Sequence, residues 1–142
     1  WRDGLSATAF PSGVRNTPVE ITESIAPVIF HRKEFREGSG GDGQYRGGHG
    51  QVIEISHAEG APFAIFALFD RVDHPARGRN GGADGAPGTV RLTSGKTLKT
   101  KGKQIIPAGE RLLMELPGGG GYGDPAERDP GLREKDLAND LN

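Results

Sequence analysis

Three glycine-dense stretches constrain this chain more than any other feature: GSGGDGQYRGGHG at residues 38–50, GRNGGADGAPG at 78–88 and GGGGYG at 118–123. Glycine opens backbone conformations and close approaches that a Cβ forbids, and it weakens the interior of any helix or strand. These stretches are therefore turns, connections or tightly packed backbone, and the segments between them must supply the core. The 24 glycines follow no fixed period and alternate with apolar runs, so neither a collagen-like nor a low-complexity disordered chain fits.

The remaining composition sets bounds on the fold and its partners. At 142 residues the chain fits one domain, but an apolar share of 33% and a mean hydropathy of -0.55 leave little to spare for an interior. A formal net charge of -1 gives no electrostatic reason to expect nucleic acid as a partner. No apolar run approaches the roughly 20 residues that span a bilayer, and no signal-peptide layout opens the chain. The absence of cysteine rules out disulfides, thiolate metal sites and a cysteine nucleophile. It is consistent with a reducing compartment, and the expected location is the cytoplasm. The first residue is Trp1, not Met, so we expect a fragment whose active site can be shared with residues outside it.

Apolar periodicity places the elements. Alternation over residues 17–23 predicts a strand, with Val19 and Ile21 on one face and Glu20 and Thr22 on the other. Strands are also expected at 28–35 and 51–56. Residues 63–69 (FAIFALF) form the most apolar run and are the candidate central strand. Residues 89–92 and 97–99 flank Ser94-Gly95 as a hairpin. A last strand covers 110–116, with Leu112, Met114 and Leu116 opposite Leu113. The one helical prospect is 130–141, capped by Asp129, with Leu132, Leu137 and Leu141 as a thin apolar stripe. Residues 38–50 read as a tight connection anchored by Tyr45, and 75–88 as a long loop. The fold class is mainly β: an antiparallel sandwich or barrel-like sheet with long glycine-rich loops and a short C-terminal helix.

Candidate chemistry is sparse, and no catalytic residue can be assigned. His31, His49, His57 and His74 lack the spacing that aims two imidazoles at one metal, so they read as surface or loop histidines and no metal ligand is expected. Gly118, Gly119, Gly120 and Gly121 resemble a phosphate cradle only superficially, because no Lys-Ser/Thr follows and no helix opens there. They read as structural: backbone packed against another surface, or twisted through positive φ. Asp70 and Arg71 end the most apolar strand, either as an ion pair or as substrate contacts. Arg15 and Asn16 offer N–H donors suited to a carboxylate or imide oxygen, or staple a loop to the sheet. The candidate substrate-binding residues are thus Arg15, Asn16, Asp70 and Arg71.

Four motifs in order carry a family resemblance. FPSGVRNTPVEITE (10–23), GGDGQYRGGHG (40–50), the Asp70-Arg71 pair followed by Gly81-Gly82 and Gly85-Ala86-Pro87-Gly88, and PGGGGYGDP (117–125) together resemble hydantoinase B and oxoprolinase-type proteins. The resemblance implies that residues 1–142 are the C-terminal β domain of a B-type subunit several hundred residues long. It implies an ATP-dependent hydrolase of a cyclic amide such as 5-oxoproline or a hydantoin. ATP and Mg would be bound by a hydantoinase A-type partner subunit in a hetero-oligomer. ATP would phosphorylate the amide or enol oxygen to make an unreactive centre reactive. The alternatives are an ATP-dependent acetone or acetophenone carboxylase subunit and, from a different class, a stand-alone β binding module. By this reading the fragment alone is inactive and serves as scaffold and interface. The basic loop at Arg77-Gly78-Arg79-Asn80 and the tail after Asp129 depart from the family pattern and leave the substrate subtype open.

Overall fold

The computed structural model describes residues 2–8, 17–139 and 141. Among them the elements are α1 (Val19–Ile25), β1 (Val28–Phe35), β2 (Gln51–His57), β3 (Phe63–Leu68), β4 (Thr89–Leu92), β5 (Lys101–Ile106), β6 (Leu112–Glu115), a 3-10 turn (Pro125–Glu127) and α2 (Pro130–Ala138). Four strands pair antiparallel in the order β1-β2-β6-β4, while β3 and β5 form a separate two-stranded antiparallel ribbon. No ladder joins the two, so the mainly-β expectation holds as two packed sheets and the barrel alternative does not.

Register explains the core. On the sheet's inner face, Ile53, Met114 and Val90 stand opposite one another, and so do Ile55, Leu112 and Leu92. Ile106 of β5, with Phe63 and Ile65 of β3, packs onto Val90, Leu92 and Leu112. Leu92, Ile106 and Leu112 are at most 2% exposed, and each such side chain contributes about 1.5–3 kcal/mol by leaving water.

Three strand expectations need correction. Residues 17–23 lie largely in a helix: Pro18, at φ -56°, precedes α1, and its carbonyl accepts from both the Thr22 amide and the Thr22 hydroxyl. Val19 and Ile21 alternate over too few positions to exclude a helix, and none of its residues is buried, so no core contact enforced an extended chain. The run at 63–69 is not central. It forms one arm of the ribbon, with Phe66 and Leu68 76% and 79% exposed. The hairpin at Ser94-Gly95 is present, with Leu98 N–H donating to Val90 O, but its second arm ends in an isolated bridge. The strand that completes the ribbon is β5, whose Lys101, Gly102 and Lys103 hide its alternation. Helix α2 starts where Asp129 accepts from the Gly131 amide at 2.7 Å, as expected. Its leucine stripe is only partly covered: Leu132 and Leu141 are half-buried, Leu137 is 59% exposed, and the buried residue of the helix is Asp136.

The glycine-rich stretches belong to no helix or strand, as a loop or connection should, but they are not loose. Their backbones lie side by side, hydrogen-bonded across segments: Gly41 N–H to Gly119 O (2.8 Å), Gly119 N–H to Gly48 O (2.8 Å), Gly118 N–H to Ala86 O (3.1 Å), Gly121 N–H to Ala83 O (2.9 Å) and Ala83 N–H to Asp42 O (2.7 Å). A Cβ on Gly118 would sit 1.7 Å from Ser39 O, on Gly120 2.3 Å from Arg77 O, and on Gly121 2.0 Å from Asp42 O; on Gly119 it would crowd Gly48 N at 3.0 Å. Consecutive residues thus face three different neighbours, and the first neighbouring segment returns after three residues. That alternation is like the threefold repeat of a polyproline II-type chain, which has no internal hydrogen bonds and must find partners sideways. None of these four glycines has positive φ, so close approach, not a left-handed backbone, excludes a side chain there.

Candidate functional site

One cavity of about 530 Å³ lies where the glycine layer meets α2. Its lining includes Asp42, Arg46, His49, Arg128, Arg133 and Asp136. The glycine layer positions Arg46 and His49, while the turn after Pro125 delivers Arg128 and α2 delivers Asp136.

Four of the charges in and beside the cavity form a continuous network. Asp136 accepts from Arg46 Nε and Nη2 at 3.1 Å each and from Arg128 Nη2 at 2.7 Å. Arg128 also grips Asp3 with both terminal nitrogens, at 2.7 and 2.8 Å, and the Arg46 amide donates to Asp3 Oδ1 at 2.8 Å. Arg128 has a side chain only 7% exposed. Two-pronged guanidinium–carboxylate contacts of this kind are strong and directional. They join segments far apart in sequence, so charge helps to hold α2, whose leucines are only partly covered.

The electrostatics favour fixed charge over proton transfer. The Arg128 hydrogen bond, more than any other influence, holds the Asp3 carboxyl below the usual carboxylate range. Burial alone would raise Asp136, but hydrogen bonds and charge from Arg46 and Arg128 outweigh it and keep its pKa low. Arg128 is shifted upward chiefly by Asp3. His49 is 2% exposed, and neither ring nitrogen makes a well-formed hydrogen bond. Burial, followed by the Arg46 charge, lowers its pKa and favours the neutral ring. Ionised carboxylates saturated by arginine and a sealed neutral imidazole hold a shape; they do not shuttle protons near neutrality.

Among the four histidines read as surface or loop residues, His49 is the buried one. The signal that could have marked it is its place between Gly48 and Gly50, within the glycine layer. Among the described residues no group of three or more His, Cys, Asp or Glu could hold a metal. Gly118, Gly119 and Gly121 donate their amides to carbonyls, so the run is not a phosphate cradle.

The sequence-proposed contacts do not gather at this cavity. Arg15 and Asn16 lie outside the described residues. Asp70 and Arg71 follow β3 and are exposed, and Asp70 pairs with Lys101 instead of bracing Arg71. Arg71 has φ +56°, an uncommon left-handed backbone for a non-glycine residue. Sequence reasoning missed the network of Asp3, Arg46, Arg128 and Asp136, whose members carry no shared spacing.

Comparison with known proteins gives a consistent result. The family model for hydantoinase B/oxoprolinase matches residues 1–125. The chain is 38% identical to 5-oxoprolinase 1 of Arabidopsis thaliana, over 87% of this chain and 10% of that protein. It is 31% identical to a candidate B-type subunit of a D-/L-hydantoinase from a Pseudomonas species, over 99% of this chain and 24% of that protein. Among solved structures it resembles an ATP-dependent caprolactamase from Pseudomonas jessenii, with a TM-score of 0.74 and 25% identity over 91% of this chain and 24% of that one. An acetone carboxylase in a nucleotide-free state shares the fold, with a TM-score of 0.73 and 19% identity over 99% of this chain and 24% of that one. The chain spans between a tenth and a quarter of the length of these relatives.

Proposed function

The chain belongs to the hydantoinase B/oxoprolinase family, and from that premise we propose that it is the C-terminal β domain of the B-type subunit of an ATP-dependent cyclic-amide hydrolase. The observation that carries this reading is the sequence likeness to a 5-oxoprolinase along most of the chain, joined to the fold of an ATP-dependent caprolactamase. The site geometry supports a specific division of labour. The network of arginines and aspartates and the glycine layer hold a rigid frame, and the reacting groups come from elsewhere in the subunit and from an A-type partner that binds ATP and Mg. ATP bound there would supply a phosphoryl group to the amide oxygen, with ADP as the leaving group, and so activate the ring carbonyl. The complex works in the cytoplasm, in keeping with a chain free of cysteine.

The test is ADP release by the full-length subunit together with its partner, offered 5-oxoproline, a hydantoin or a lactam. ATP hydrolysis that rises with one of these and needs both subunits is the expected result. Hydrolysis indifferent to every amide, or turnover by the 142-residue chain alone, rejects the reading. Ketone-dependent bicarbonate fixation would move the assignment to the carboxylase relatives, whose fold the chain shares.

Arg15 and Asn16 are proposed to orient a substrate oxygen, with Asp70 and Arg71 as further contacts. Replacing Arg15 with Ala in the complex should raise KM or lower kcat, and unchanged kinetics would remove it.

A further inference from the structure

Of the chain's four asparagines, Asn80 alone precedes glycine. A following residue without a Cβ gives its amide nitrogen the least hindered approach to the asparagine side chain, and the carboxamide can then be lost as ammonia. The fold holds this labile step in one particular turn. Asn80 has φ +50° and Gly81 φ +94°, and the Gly82 amide donates to Arg79 O at 2.9 Å. Two left-handed residues closed by that bond make a type I′ turn, which Asn-Gly favours. There ψ of the first central residue is about +30°, so the Gly81 nitrogen points away from the Asn80 Cβ and cannot reach Cγ. Asn80 Nδ2 also donates to Tyr122 Oη at 2.7 Å, which fixes the carboxamide. Both ends of the turn are pinned to the 117–123 segment. Arg79 N–H donates to Gly121 O at 2.9 Å and Gly123 N–H to Arg79 O at 3.0 Å, while a Cβ on Gly82 would meet Gly121 C and O at 2.4 Å.

We propose that Asn80 is a deamidation site which the folded glycine layer protects and its opening releases, and that the product marks the opened chain irreversibly. Once the turn opens, the Gly81 nitrogen attacks Asn80 Cγ. An N–Cγ bond forms, the Cγ–Nδ2 bond breaks, and ammonia leaves with the former amide proton of Gly81. Water then opens the succinimide ring. Cleavage at Cγ gives aspartate, whose backbone path is unchanged and whose carboxylate can accept from the Tyr122 hydroxyl. Cleavage at the main-chain carbonyl gives isoaspartate, whose chain runs through the former side chain and is longer by one carbon. A lengthened turn with both ends pinned does not fit back between Arg79 and Gly82. The protection comes from backbone conformation, so it holds whatever else of the subunit lies over the turn.

The experiment follows residue 80 by peptide mass spectrometry in the full-length subunit at neutral pH, beside the free peptide ARGRNGGADG in the same buffer. The folded subunit is expected to deamidate at least tenfold more slowly than the peptide. Equal rates overturn the protection, and this comparison needs no refolding. The mark is tested by ageing the subunit in guanidinium chloride, diluting it, and comparing the folded fraction with the aged pool. Isoaspartate at residue 80, told from aspartate by its fragmentation, should be depleted at least tenfold in the folded fraction. Freshly unfolded Asn80→Asp should refold as the wild type does. Isoaspartate recovered in the folded fraction at its share of the pool overturns the irreversible mark. Failure of Asn80→Asp to refold would lay the barrier on the new charge, not on the lengthened chain, and overturns it equally.

Discussion

The molecule has two halves built on opposite principles. Between the sheet and the ribbon, backbones stand apart and side chains such as Leu92, Ile106 and Leu112 fill the gap. Between residues 38–50, 76–88 and 117–123, backbones touch and almost no side chain intervenes. The first half is specified by what is present and tolerates rearrangement, because apolar side chains of similar volume can repack. The second is specified by what is missing, and a methyl group there has no rotamer to escape into.

The comparison is tested hardest where the gap is narrowest. Gly118→Ala puts a methyl 1.7 Å from Ser39 O; we expect a loss of about 4 kcal/mol or more and no cooperative melting transition. A wild-type melt for that variant would break the distinction outright. Leu92→Ala, in the side-chain half, should cost about 3 kcal/mol by leaving a cavity, read as a lowered but still cooperative melt. Asp136→Asn should cost about 2 kcal/mol, because Arg46 and Arg128 lose part of a buried acceptor.

Acid should act on the same network. Asp3 and Asp136 titrate below their ordinary value of 3.8 in the folded chain. Their contribution is therefore complete above that value and is lost as pH falls through the lower folded-state range. His49, lowered from 6.5, adds a loss that begins as pH drops below that value. Melting temperature followed against pH should show both stages, and Asp136→Asn should flatten the lower one. The smallest effect is expected at Gly95, which has φ +96° but open space around it. There Ala should cost about 1 kcal/mol from backbone strain alone. Equal penalties at Gly95 and Gly118 would mean that conformation, not contact, governs the glycine layer.

Much of the side-chain half was legible because alternation is local. β1, β2, β4 and β6 follow from apolar residues two apart. β5 was not, since its inner positions are Gly102, Gln104 and Ile106 and its outer ones include two lysines, a pattern that reads as solvated. Residues 17–23 misled because Val19, Ile21 and Ile25 satisfy two periods at once. For the glycine layer, the sequence identified residues that demand a special backbone but not their neighbours: Gly118 meets Ser39 and Gly120 meets Arg77 only after folding. The candidate site was the least legible part. Asp136 is an ordinary acidic residue on a polar helix until Arg46, 90 positions earlier, arrives beside it.

The side-by-side backbones also carry a thermal signature. Unfolding them wets mainly peptide groups, whose hydration lowers heat capacity, whereas newly wetted hydrocarbon raises it. Calorimetry should accordingly find an increment per residue below the usual ~12–15 cal/mol/K. A shallow stability curve follows, with folding that changes little between a cold room and a warm incubator.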